Sequence, residues 1–161
     1  MNPDYYTALK LAHVLSATLL FGTGLGTAFF QWQAYRSGDV GAIALTARHV
    51  VLADWLFTAP TAVLQPLTGY WLARAVGYDL TAPWLLSALA LFVIAGAAWL
   101  PVVAIQLRLR DLAAAALARG EPLPARYHRL MRIWFKLGVV AFSAIALTFW
   151  LMVRKPPLWG N

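Results

Sequence analysis

Charge is absent from four long stretches of this chain, and those stretches set its pattern. Between Lys10 and Arg36 lie 25 uncharged residues, between Asp54 and Arg74 lie 19, between Asp79 and Arg108 lie 28, and between Lys136 and Arg154 lie 17. A helix that crosses a bilayer needs about 20 mostly apolar residues, within a range of about 17–25. The pattern predicts four spans, near 6–35, 46–74, 83–108 and 127–153. The runs are too long and too evenly apolar for the alternation of a membrane barrel. A helix also satisfies its own backbone in lipid, where no water can do so. The expected fold is therefore all-α: a polytopic membrane protein, one domain over 1–161, folded as an up-down bundle of four transmembrane helices.

Short polar links join the spans. Residues 36–45 hold Arg36, Gly38, Asp39 and Gly41 and read as the first connection. Residues 75–82 form the second, with Pro83 suited to a first helical turn. In the third, 109–126, the alanine-rich stretch from Asp111 to Arg119 continues the preceding helix, and Gly120, Pro122 and Pro124 stop it. Pro60 and Pro66 are expected to bend the second span. The first span reads as a retained helix, since Met1–Tyr6 carries Asp4 and no positive charge.

Composition strengthens the membrane reading. The chain of 161 residues is 61% hydrophobic and 12% charged, with a mean hydropathy of +0.67. A soluble domain carries about 25% charge. The net charge of +7 would suggest nucleic acid in a soluble protein, but here the basic residues flank apolar runs. Nine of the thirteen (Arg36, Arg48, Arg108, Arg110, Arg119, Arg126, Arg129, Arg132 and Lys136) fall on one side. That side is expected to be cytoplasmic, which places both termini outside, across a bacterial inner membrane. Trp71, Trp84, Trp99, Trp134, Trp150 and Trp159 lie near span ends and read as interfacial. The absence of cysteine excludes disulfides, zinc thiolates, iron–sulfur clusters and covalent haem.

Polar residues within the spans carry the chemistry, because they are costly in lipid. Lys10 and His13 are three apart and share a helix face. Gly24 continues the His13 stripe, and Gly22 and Gly26 form a GxxxG. An imidazole above a small-residue groove can ligate haem iron, with Lys10 and Arg132 as partners for acidic groups; helix packing is the plainer use of such glycines. Met152 is a candidate second ligand. On the second span, Asp54, Thr58, Thr61, Gln65 and Thr68 share one arc. They read either as a proton or polar path, or as an interhelical seam with Asp54 paired to Arg48, Arg129, Arg132 or Lys136. His49 and His128 form an alternative metal or bis-histidine site. No GxGxxG, P-loop, GxSxG or HExxH is present, so nothing points to a soluble-type enzyme.

Four strings, LKLAHVLSATLLFGTGLGTAFF, ARHVVLADWLFTAPTAVLQPLTGYWL, AWLPVVAIQLRLRDLA and MRIWFKLGVVAFSAIALTFWLMVRKP, resemble the bacterial small predicted integral membrane proteins known as domain-of-unknown-function family 2269. That resemblance covers nearly the whole chain and implies the fold. A more distant resemblance is to HemJ-type protoporphyrinogen oxidases, four-helix membrane proteins that bind b-type haem. Their first helix opens with K-x-x-H, matched by Lys10 and His13. Their last helix pairs an arginine-aromatic start with a basic-proline tail, matched by Arg132, Trp134, Lys155 and Pro156. This chain departs from them at Lys136, where an acidic residue is expected, and at Trp99 and Pro101, where the third helix should carry a histidine. The resemblance implies haem b on His13.

Three functions fit the sequence: a haem-binding redox or oxidase-like protein, a haem-free scaffold or assembly protein, and a small transporter that must oligomerise to make a pore. The expected partners are the lipid bilayer and a second copy or a larger membrane complex, with no nucleic acid.

Overall fold

The computed structural model describes residues 3–158, and every element in it is helical. The interfacial reading of Trp159 falls outside the described residues. Helix α1 runs over Pro3–Ser37, α2 over Val40–Ala53, α3 over Ala59–Val76, α4 over Pro83–Arg119 and α5 over Ala125–Arg154. A π turn at Asp54–Thr58 joins α2 to α3, so Val40–Val76 is one continuous span. Four helices are thus long and apolar enough to cross a membrane. At 35 residues, α1 is about 50 Å long, well beyond the hydrocarbon thickness of about 30 Å.

Local chemistry explains where the rods stop. Gly120 adopts a left-handed conformation (φ 63°) and ends α4 at Arg119, as its position before Pro122 and Pro124 predicts. Pro83 opens α4 as expected. The first link is shorter than the sequence suggests. Gly38 turns the chain with φ 71°, and the Asp39 carboxylate accepts a hydrogen bond from the Gly41 N–H at 2.8 Å. That cap starts α2 at Val40, so most of the expected 36–45 connection is helix.

The expected bend in the second span takes the form of the π turn. The Ala59 N–H reaches back to the Asp54 carbonyl, and Pro60 follows without an N–H of its own. Pro66 lies inside α3 without ending it. Both Asp54 and Thr58, at the two ends of the π turn, are buried.

Side-chain pairs across the helices fix the up-down order. His13 meets Thr68, Gln31 meets Tyr127, Asp54 meets Gln106, and Lys155 meets Tyr78. The end rich in arginine holds the packed core. Ile43, Ala44, Val102, Ile105, Leu109, Ala113, Tyr127, Met131 and Trp134 form it, and Ala113 and Tyr127 are wholly buried. Alanines at 44, 47, 113 and 116 let α2, α4 and α5 approach closely. Helix α4 packs along α5, and α1 packs against α2 and α3. Helix α2 closes on α4, but α3 makes no comparable interface with α4 or α5. The bundle is therefore tight at its Arg-rich end and parts towards the end that carries the termini.

Large apolar side chains face outward all round, among them Leu11, Phe30, Leu100 and Val153. In water such a surface would aggregate. Lipid is the solvent it fits.

Candidate functional site

Two polar clusters and two cavities lie between the helices. The first cluster stitches α1 to α3. Gln65 donates to the His13 carbonyl at 2.9 Å and to the Ser16 hydroxyl at 2.6 Å. His13 Nδ1 lies 2.9 Å from Thr68 Oγ1, and that hydroxyl donates its one hydrogen to the Leu64 carbonyl at 2.7 Å. With that hydrogen on Leu64, Thr68 is set to accept from the Nδ1–H tautomer of His13, in which Nε2 keeps its lone pair. Gly69 makes the fit possible, because a Cβ there would stand 3.2 Å from His13 Cε1.

The second cluster joins the π turn to α4 and α5. Asp54 accepts from the Thr58 hydroxyl at 2.8 Å on one oxygen and from the Gln106 amide on the other. Trp134 Nε1 donates to Gln106 Oε1 at 3.3 Å. All four side chains are buried. The ion pairs Arg110–Asp111 and Arg119–Glu121 lie on or just beyond the exposed end of α4, and among the described residues none of the basic side chains nearby reaches Asp54. Asp54 is thus not paired to Arg48, Arg129, Arg132 or Lys136. Those four long side chains are exposed and can carry their charges outward to the interface, while Gln106 on the facing helix supplies a neutral donor.

The arc predicted on the second span exists, since Asp54, Thr58, Thr61, Gln65 and Thr68 are all buried. It divides between two helices, however. Asp54 and Thr58 serve the α4 side, whereas Gln65 and Thr68 serve α1. Thr61 lies between them and turns its hydroxyl back to the Phe57 and Thr58 carbonyls. The stripe thus forms two seams.

Each seam borders a cavity. A cavity of about 260 Å³ near the termini is lined by His13, Gln65, Gly69, Tyr70, Leu86 and Met152, among others. A larger one of about 330 Å³ lies in mid-bundle above Asp54, Thr58, Gln106 and Trp134. Phe92 lines both.

The proposed haem set does not converge. His13 faces the smaller cavity, while Gly24 lines the larger one, some 16 Å further along α1. Lys10 is exposed, with its ammonium 5.8 Å from the centre of the Tyr6 ring. Arg132 is exposed near the Arg-rich start of α5, at the opposite end of the bundle from His13. A Cβ at Gly22 or Gly26 would touch nothing within 4 Å, so the GxxxG packs no helix inside this chain.

His49 and His128 also have separate surroundings. His128 Nδ1 lies 2.9 Å from the Tyr35 hydroxyl, and His49 is exposed on α2, which shares no extended interface with α5. Among the described residues no three His, Cys, Asp or Glu side chains gather as metal ligands.

Of the tryptophans read as interfacial, Trp71 and Trp150 are about half exposed, as such residues should be, but Trp134 is buried and bonded to Gln106. Trp99 lines the larger cavity. Gln31, on the His13 stripe, is buried, and its amide donates to the Tyr127 hydroxyl at 3.2 Å.

Helices of this length, apolarity and outward-facing composition define a polytopic α-helical membrane protein. The chain matches the family described as "Predicted integral membrane protein (DUF2269)" over residues 7–156, and it belongs to that family. No curated protein and no solved structure matches it.

Proposed function

We propose that this protein is a membrane redox protein that holds b-type haem, with His13 Nε2 as axial ligand. One observation carries the reading: the hydrogen bond from Nδ1 to Thr68 fixes the ring and leaves Nε2 bare beside an apolar cavity. Histidines that bind metals are oriented in this way by the partner of their other nitrogen. Met152 lines the same cavity from α5 and is a candidate second ligand, and a thioether there would favour the reduced iron. At about 30 Å³ for each non-hydrogen atom the cavity of about 260 Å³ admits only one edge of a macrocycle, which Gly69 and Ala73 leave free of bulk and Leu85, Leu86 and Leu89 contact; the rest would lie in the gap where α3 stands away from α4. Bound haem would supply one-electron chemistry. Lys10, one turn before His13 on the same face, is the cation that would turn to meet a propionate.

The charge asymmetry supports the rest of the proposal. Nine Lys and Arg side chains at one end favour that end as the cytoplasmic one in a bacterial inner membrane, which would leave both termini outside. A redox role further implies a membrane partner that takes the electrons. The test is the visible spectrum of protein purified in detergent from haem-replete cells. The expected result is a Soret band that His13→Ala abolishes and Met152→Leu shifts. Colourless wild-type protein, or an unchanged band in His13→Ala, contradicts the reading.

A further inference from the structure

The mid-bundle cavity has no part in the haem reading, and its construction points to a different guest. Its polar floor contains one ionisable side chain, Asp54, whose two oxygens accept hydrogen bonds from Thr58 and Gln106. Both donors are neutral. No Lys, Arg or His of the described residues forms an ion pair with this carboxyl. Neutral hydrogen bonds offset only part of the cost of a carboxylate held away from water. A cation set against this floor would supply the rest of that offset.

The walls say what kind of cation fits. Phe21, Phe92, Trp99 and Phe142 line the cavity, and Phe21 packs on Phe142 with ring centres 4.4 Å apart. Aromatic faces attract organic cations, more strongly where water is excluded. A hard metal ion would need six or more oxygen ligands, and these apolar walls do not offer them. Gly24, Gly96 and Gly138 come from three different helices, and a Cβ at any of them would meet nothing within 4 Å. The room is therefore real. At about 30 Å³ for each water-sized group, 330 Å³ takes roughly ten non-hydrogen atoms.

We infer that this cavity binds a small lipophilic ammonium ion, its charge set against Asp54 and its apolar substituents against the aromatic walls. The inference stands apart from the haem proposal, since no residue named in it except Phe92 lines the His13 cavity.

The test is equilibrium dialysis of the full chain in lipid nanodiscs against benzyltrimethylammonium and against neopentylbenzene, its uncharged isostere. The expected result is saturable binding of the cation, weakened at least tenfold by Asp54→Asn, with the isostere bound at least tenfold more weakly. Gly96→Leu, which fills the cavity and leaves the floor intact, should abolish saturable binding, and it decides the matter if Asp54→Asn fails to fold. Equal binding of cation and isostere, unchanged affinity in Asp54→Asn, or retained binding in Gly96→Leu overturns the inference.

Discussion

The two ends of this bundle are built from similar residues and do different work. At the Arg-rich end, alanines at 44, 47, 113 and 116 draw α2, α4 and α5 together, and Tyr127, Ile43 and Leu109 fill the space between them almost completely. Towards the termini, α3 leans on α1 through His13, Ser16, Gln65 and Thr68 and stands away from α4 and α5. Both cavities lie from Trp134 outward. In lipid the hydrophobic effect cannot close such gaps, because acyl chains are as apolar as leucine. Only close packing and hydrogen bonds hold helices together. Where alanines allow contact the bundle is shut, and where glycines and aromatic rings leave room it can accept a guest.

The contrast is broken most severely by truncating each end in turn. Leu109→Ala removes a side chain that is 1% exposed and should cost ~2–5 kcal/mol of stability. Leu89→Ala, on the cavity wall and 53% exposed, should cost under about 1 kcal/mol. Thermal melts of both variants in the same detergent check this, and similar losses at the two sites would erase the distinction.

An intermediate effect is expected at the seam between the halves. Gln106→Leu deprives Asp54 of a donor and Trp134 of an acceptor, leaving two buried polar groups short of partners. A loss of about 1–3 kcal/mol should follow. Intrinsic fluorescence should change as well, because Trp134 loses its hydrogen bond. An unaltered melt and emission would mean that the network does not hold α4 to the π turn.

The smallest effects sharpen the comparison at single methyl groups. Gly69→Ala pushes a Cβ to 3.2 Å from the His13 ring and should lower stability by up to about 1 kcal/mol or shift the imidazole resonances. Gly22→Ala, with open space around it, should raise stability by up to about 1 kcal/mol through helix propensity. If the two substitutions behave alike, His13 is not held as closely as the contact with Gly69 requires.

How much of this was legible in the sequence follows from what each feature depends on. Span number and order depend on solvent matching, which charge-free windows report directly. The end of α4 at Gly120 depends on local backbone chemistry and was equally plain. The start of α2 was misplaced because one capping carboxylate, Asp39, outweighs a run of small residues. Partners across helices depend on how each rod is rotated about its axis, and one chain's pattern does not report that. Hence the basic residues near Asp54 stand as candidate partners in the sequence, whereas its partner across the bundle is Gln106. The signal was present: Gln106 is an amide inside a charge-free window, costly enough in lipid to need a partner. Trp134 misled for the opposite reason, since its place near a span end fits an interfacial tryptophan and also a buried donor.

The absence of native cysteine makes the central claim open to direct measurement. Spin labels on Leu45→Cys and Leu117→Cys report the closed end, and labels on Leu64→Cys and Val93→Cys report the parting of α3 from α4; all four positions are exposed. Pulsed dipolar spectroscopy in nanodiscs should give a narrow distance distribution for the first pair and a broader one for the second. Equally narrow distributions at both ends would contradict an account in which one half fixes the shape and the other admits a ligand.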